Sequence, residues 1–501
     1  MPLPPRRAAA LAVATLSAAL ALATALRLPA AWESGNALNH VSGAWLTLAD
    51  DLARGTFYRP LYDPALGYGG TRYFPLVFVL QGTLLRMGVP LLGVAYASSL
   101  AAGLLLLFGV ALLLRALGAR PGHAAAFAPL ALAGFAGQHA LASARGDLLP
   151  VALSALGLAA VARGAGRVRL PVAALALTLA FAAKPTALTA AAAAAASLAL
   201  RGARRDALVL AALVATGAAG AVAATDALSR GRFLEGLRTV ATAGAGADTV
   251  VRAPLRLAEE LAHGDPAGLV LALAAAATLA ASALVLARAA RSRDADPRLL
   301  PALWVVSSWA GALVVLATPG TGMNHLVELE AASATLLGAG AWAAGPRPLA
   351  RIGAAAAGVA GLAVALTLWH ADRTSSRLAE LRETVLALPP GPVFSEDPLV
   401  PLLAGERPVL LDPFTIRLGA GRTPDRGAAL PETLRRGAFP AVVLFQDLDR
   451  PAADAWYADG NLGLALAAEI RRGYRWSAAF GRYHLYVPRL PPAGVVRRDA
   501  P

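Results

Sequence analysis

Two neighbouring carboxylates, Asp50 and Asp51, lie in the stretch His40–Pro75 (HVSGAWLTLADDLARGTFYRPLYDPALGYGGTRYFP), which also carries four tyrosines and three arginines. A carboxylate pair beside cations and aromatic rings, bracketed by apolar segments, has the groups needed to take a proton next to an anionic lipid headgroup. A loop that only ties spans together would also be polar, so the stretch has to be weighed with the other ionisable positions. Outside the arginine clusters these are few: Asp147 in SARGDLLP, Lys184 in AKPTAL, and Asn324, His325, Glu328 and Glu330 in MNHLVELE. Each has a plainer role by itself. Asp147 could pair with Arg145 or cap a helix, Lys184 could snorkel, and His325 could sit at an interface. The four clusters carry meaning together only if the fold brings them to one face.

The elements that must do so are membrane helices. The 501 residues are 57% hydrophobic and 15% charged, where a soluble chain carries about a quarter charged residues. The net charge of +14 is therefore read by position, as loop charge that sets topology, and does not point to nucleic acid. With no cysteine, disulfide, thiolate and Cys-ligated metal chemistry are excluded. The alanine runs reflect composition and imply no function.

Apolar runs occur near 8–28, 91–115, 122–142, 147–163, 168–183, 185–201, 207–226, 267–288, 299–318, 328–345 and 352–370, about eleven spans at ~20 residues each. The first is expected to be an uncleaved helix. Alternate loops carry Arg6/Arg7, Arg115/Arg120, Arg163/Arg167/Arg169, Arg201/Arg204/Arg205, Arg288/Arg291/Arg293/Arg298 and Arg347/Arg351. All fall on one side of an eleven-span chain, which places the N-terminus in the cytoplasm. Two long loops, 29–90 and 226–266, and everything after 370 then lie outside. Tyr73–Met87 is apolar but short, and reads as an interfacial helix. From 371 to 501 strands alternate with helices: helices at Arg377–Leu388, Leu430–Arg436 and Ala452–Arg471, strands at Pro392–Ser395, Val409–Asp412, Ala441–Gln446 and Arg482–Pro488. That pattern predicts an extracytoplasmic α/β domain.

The outer face so assembled could move a group from a lipid-phosphate donor. The phosphate needs counter-charge, available from Arg72, Lys184 and second-loop arginines such as Arg230 and Arg232. An acceptor hydroxyl needs a carboxylate or histidine as general base. Trp45, Tyr58 and Tyr73 could stack on sugar faces or simply anchor the interface. Acidic residues at Ser395-Glu396-Asp397 and Leu411-Asp412-Pro413 could bind an acceptor or cap turns. No Gly-rich phosphate loop is present, which argues against a soluble nucleotide-sugar donor.

The first outer loop (GAWLTLADDLARGTFYRPLY, then TRYFPLVFVLQGTLLRMG), ARGDLLPVAL, AFAAKPTAL, NHLVELEAA and an outer soluble tail together resemble the GT-C superfamily. Its members include polytopic glycosyltransferases of the protein O-mannosyltransferase and lipid A aminoarabinose transferase group. The resemblance implies a polyprenyl-phosphate sugar donor, an inverting transfer and an aspartate base early in the first outer loop. Spacing back from Gly55 puts that position at Asn39 or His40, so the base falls to His40, or to Glu33, Asp50 or Asp51. Asp147 and Lys184 match an acidic and a basic position of the family after the third and fifth spans. Arg72 would replace a basic residue at Phe74.

The sequence thus predicts an α-helical polytopic GT-C-like membrane domain (1–370) and a C-terminal α/β domain (371–501) in the plasma membrane of a bacterial cell envelope. Asp50, Asp51 or His40 is the expected base, with Arg72, Lys184, Arg230 and Arg232 on the donor phosphate. Asp147, Tyr73, Asn324 and His325 support the site. The acceptor is an envelope glycan, lipid or protein, and the carboxylate pair could hold a divalent cation. A lipid or glycan flippase is the alternative, and it predicts ionisable groups deep in spans and helices broken at the midplane.

Overall fold

The computed structural model describes residues 5–164, 168–241, 246–291, 296–318, 321–343, 348–373, 377–419, 429–459 and 461–489. Arg167, Arg293 and Arg347 lie outside them.

Helices occupy all eleven apolar stretches, but unequally. Six are long and apolar enough to cross a membrane: Ala10–Ser34, Leu91–Ala116, Arg204–Leu228, Pro266–Ala289, Leu299–Leu316 and Leu349–Asp372. The 122–142 stretch forms two pieces, Pro121–Leu132 and Phe135–Ala142, bent by 83°. The remainder are shorter; Leu148–Ala162 and Arg169–Ala183, with 15 residues each, reach about 22 Å at the α-helical rise. Alanine and glycine on these helices let their axes approach closely, so packing rather than length holds the short ones in the bundle.

The bend is satisfied from within. The Gly137 N–H donates to the Glu330 carboxylate at 2.9 Å. Gln138 joins a buried set in which Arg27 Nε donates to Asp372 at 2.6 Å and Arg27 Nη1 donates to the Gln138 carbonyl. First span, last span and bent helix are locked at one end by one guanidinium, whose side chain is 1% exposed.

The first long loop folds as the helix His40–Ala53, a small hairpin and the helix Pro75–Arg86. Asn39 caps the first of these, its side-chain oxygen accepting from the Val41 and Ser42 amides. Pro75 opens the second, holding Phe74 extended at φ −82°, ψ 157°. The second long loop becomes the helices Arg232–Ala241 and Ala247–Ala262.

The C-terminal region is α/β. Its sheet runs in the order Phe394–Ser395, Val442–Leu444, Tyr483–Pro488, Tyr474–Phe480, with the first pair parallel and the others antiparallel. Several details differ from the sequence expectation, among them the unexpected short helices Leu399–Leu403 and Pro413–Gly419. Val409–Asp412 does not join this sheet but runs beside the first-loop hairpin, bridged Tyr68 to Leu410. The single helix expected over Ala452–Arg471 is two, Pro451–Asp459 and Leu464–Gly473, because Leu462 and Gly463 take positive φ between them. Tyr474–Phe480 is an unforeseen strand whose mid-strand residues 475–477 are all exposed, so it lacks the alternation that marks a half-buried strand. The domain packs directly on the bundle: Leu38, Leu46, Ala95 and Ala144 share one core with Leu381, Val400, Val443 and Tyr483.

Candidate active site

The bundle end beneath this domain holds a cleft of about 1030 Å³ of empty space. Local sequence explains how each polar side chain enters it. Pro185 forbids a helical conformation for the residue before it, so Lys184 leaves the helix Arg169–Ala183 extended, at φ −158°, ψ 121°. Its ammonium reaches Asp147 at 2.7 Å and the Asn324 carbonyl at 3.2 Å. Asp147 begins the helix Leu148–Ala162, yet its side chain makes no capping hydrogen bond. The carboxylate instead accepts from Lys184 and from the Asn324 amide (3.2 Å) and pairs with Arg145 Nε at 3.2 Å. Asn324 and His325 sit on the one-turn 3-10 segment Met323–His325 between two bundle helices, and His325 Nδ1 is buried with no hydrogen-bond partner among the described residues.

Arg72 and Tyr73 enter from the first loop, where the Tyr73 ring lies 4.6 Å from Trp45. Tyr58 lies beneath, donating its hydroxyl to the Tyr73 carbonyl at 2.8 Å. Gly146 permits this arrangement, because a Cβ there would sit 2.9 Å from the Trp45 ring. The remaining wall is mostly apolar, including Phe74, Leu237, Val314 and Val315, with Thr186, Thr318 and Thr321 among it. Three cations, Arg72, Arg145 and Lys184, thus face one lining carboxylate, Asp147, beside an apolar wall. This favours an anionic headgroup on an apolar chain.

Six residues expected from sequence meet in this cleft: Arg72, Tyr73, Asp147, Lys184, Asn324 and His325. The others lie elsewhere. Asp51 is 1% exposed and held by Arg59, whose Nε and Nη2 donate at 2.5 and 3.0 Å, and by Arg407 at 3.2 Å. Burial pushes its carboxyl above the usual range against the pull of Arg59 and Arg407. Asp50 pairs with Arg54 one turn on, at 2.9 Å. Arg230 is exposed on a left-handed residue (φ 56°), and Arg232 donates to the Tyr58 carbonyl at 3.1 Å. The helix Arg232–Ala241 gives the cleft Leu237 instead.

His40 lies beside the lining residue Val41, with its ring 5.8 Å from Phe445 of the C-terminal domain. Burial, reinforced by Arg145, Arg482 and Arg72, pulls its imidazole down to about 4, so it is neutral at neutral pH. Glu396 and Asp397 are spoken for within their own domain. Glu396 accepts from Trp456, Tyr457, Asn461 and the Phe445 amide, and Asp397 from Tyr483 and the Leu399 amide. Among the described residues no group of three or more His, Asp or Glu could hold a metal ion, and Arg54, Arg59 and Arg407 already engage the carboxylate pair.

Arg145 is the functional candidate that sequence reasoning treated only as a partner for Asp147. Its signal was its place in ARGD, two residues from that carboxylate.

No protein-family model matches the sequence, and no curated protein matches it significantly. Solved structures do. ArnT from Cupriavidus metallidurans in the apo state aligns at a TM-score of 0.59 and 13% identity, covering 93% of this chain and 97% of that one. The same protein bound to undecaprenyl phosphate aligns at 0.59 and 14%, covering 95% and 98%. The apo oligosaccharyltransferase of Archaeoglobus fulgidus aligns at 0.54 and 12%, covering 99% of this chain and 75% of that one. ArnT is a lipid A aminoarabinose transferase, and all three structures are GT-C membrane glycosyltransferases. The chain is an integral membrane protein with the GT-C fold.

Proposed function

We propose that this protein is a glycosyltransferase that moves a sugar from a polyprenyl-phosphate donor to a cell-envelope acceptor, a glycan, lipid or protein. The single observation that carries this is the cleft's three cations around Asp147 beside an apolar wall. The fold lends support, since one neighbour of the same fold was crystallised with undecaprenyl phosphate. In this proposal residues 1–370 form the catalytic domain in the plasma membrane, with the N-terminus cytoplasmic. Residues 371–501 cover its outer face.

The acceptor hydroxyl attacks the anomeric carbon as the bond to the phosphate oxygen breaks, inverting the centre. The phosphate passes from a singly charged diester to a monoester approaching two negative charges, whose second pKa is about 6. Arg72, Arg145 and Lys184 therefore gain interaction energy as the bond breaks, which is what lowers the barrier. Asp147 holds Arg145 and Lys184 in place and tempers their repulsion. His40 is the proposed base: it takes the hydroxyl proton transiently, and the departing phosphate can accept it finally. Asp50 and Asp51, tied to Arg54 and to Arg59 and Arg407, are less suited to that task.

A flippase would need an open path through the bundle. The bent helix is the feature closest to that requirement, and its Gly137 amide is occupied by Glu330. The enzyme reading is tested by incubating the purified protein with polyprenyl-phosphate mannose, arabinose or galactose and an envelope fraction. Labelled sugar should pass into the acceptor with inverted anomeric configuration. Movement of intact donor across a vesicle without such transfer would favour transport.

A further inference from the structure

Asp51, ill placed as a base, supports a second recess. The first-loop hairpin pairs Tyr62–Asp63 with Gly67–Tyr68 through a three-residue turn in which Asp63 accepts from the Ala65 and Leu66 amides at 2.8 and 3.0 Å. Gly67 has φ +75°, and a Cβ there would lie 2.3 Å from the Val409 carbonyl oxygen, so the hairpin sits hard against the C-terminal domain. Arg59 fastens the two, donating to the Leu66 carbonyl at 2.8 Å and the Pro408 carbonyl at 2.7 Å while Asp51 neutralises it. Between hairpin and domain remains about 680 Å³ of empty space, lined by Tyr62, Tyr68, Arg407 and Thr433 over an apolar floor that includes Phe439. The Tyr62 and Tyr68 rings lie 4.9 Å apart and tilted by 40°. Both are half-buried, and neither hydroxyl has a hydrogen-bond partner among the described residues.

Aromatic faces flanked by unpaired hydroxyls and a guanidinium edge suit a ligand with apolar C–H faces and a dense rim of hydroxyls. We propose that this recess is a saccharide-binding site holding the glycan portion of the acceptor, so that its end reaches the donor cleft. This rests on the transferase reading. The strip joining the recesses is short and rigid: Tyr68 donates its amide to Val409 and accepts from the Leu411 amide. Four residues later Arg72 lines the cleft, and even fully extended those four residues span at most about 13 Å. Arg72 also lies 5.8 Å over the Phe414 ring, so the domain that walls the recess touches the cleft cation. Nearly balanced charge, with Arg59 and Arg407 set against Asp51 and Asp63, favours a neutral saccharide over an anionic one.

The test uses the full-length protein in nanodiscs and saturation-transfer NMR with tetrasaccharides of mannose, arabinofuranose, galactose and glucose. At least one should receive saturation from the protein. Its apparent affinity should fall about tenfold in Tyr62→Ala and in Tyr68→Ala, and less in Tyr62→Phe and Tyr68→Phe, which keep the ring contact. Undecaprenyl phosphate binding, measured on the same samples, should persist in all four variants, showing them folded. It should weaken about tenfold or more in Lys184→Gln, which should keep saccharide binding. Transfer to none of the four sugars, or transfer unchanged by both alanine variants, overturns the saccharide site. Failure of the wild type to bind undecaprenyl phosphate would instead count against the transferase reading.

Discussion

Lys184 and Asp147, 37 positions apart in sequence, meet at 2.7 Å in the cleft, the lysine side chain 16% exposed and the aspartate 6%. The contact exists because Pro185 turns the lysine off its helix and Asp147 leaves its own helix end uncapped. Removing Asp147 leaves Lys184 without its counter-charge, at a cost of about 3–5 kcal/mol, whereas removing Lys184 leaves Asp147 its Arg145 partner. Asp147→Ala should therefore lower the melting temperature sharply, and Asp147→Ala with Lys184→Ala should recover part of the loss. Additive losses in thermal melts would show that the pair is not coupled.

Asp51 is expected to matter for stability and not for donor recognition. Asp51→Ala leaves the fully buried Arg59 side chain without its counter-charge and loosens the hairpin from the C-terminal domain. The expected result is a loss of about 3–5 kcal/mol in unfolding free energy, with undecaprenyl phosphate affinity kept within about threefold. Proteolysis near residues 60–68 should accelerate.

His40 predicts a pH profile. Its pKa falls from 6.5 in the unfolded chain to about 4 in the fold, so the folded state binds fewer protons. The stability linked to it is complete above pH 6.5 and is lost as pH falls towards 4. Activity should stay level from pH 8 to near 5 and then decline. His40→Gln should lower kcat about 100- to 10,000-fold while leaving donor binding intact. Equal loss of binding would assign His40 to structure.

Gly146 tests the cleft wall. Gly146→Ala places a methyl carbon 2.9 Å from the Trp45 ring, closer than packing allows, and the indole must move from Tyr73. A shift in tryptophan emission with weaker donor binding is expected; neither would follow if Trp45 only anchored the loop.

The parts of this site legible in sequence were those with few alternatives. Asp147, Lys184, Asn324 and His325 stood out because ionisable groups are costly at a membrane edge, and the X-Pro step after Lys184 has a fixed backbone consequence. Arginine spacing and apolar runs revealed a helical membrane fold. Asp50 and Asp51 misled because adjacency in sequence says nothing about facing: one step along a helix turns a side chain by about 100°, sending Asp51 to Arg59 and Arg407 and Asp50 to Arg54. The Asp50–Arg54 pair is a local i,i+4 contact, but Asp51 with Arg407, like Arg27 with Asp372 across 345 positions, depends on tertiary packing that no local pattern announces. Tyr474–Phe480 escaped notice because three consecutive exposed residues hide the period of a strand.

The most direct measurement is undecaprenyl phosphate binding by native mass spectrometry, comparing wild type with Arg72→Gln, Arg145→Gln and Lys184→Gln and using undecaprenol as the phosphate-free control. Wild type should bind the phosphate and not the alcohol. Each substitution should weaken binding about tenfold or more, the worth of a charge-assisted hydrogen bond of roughly 1.5–3 kcal/mol. Equal binding of phosphate and alcohol, or affinity unchanged in all three variants, would contradict a phosphate site in this cleft.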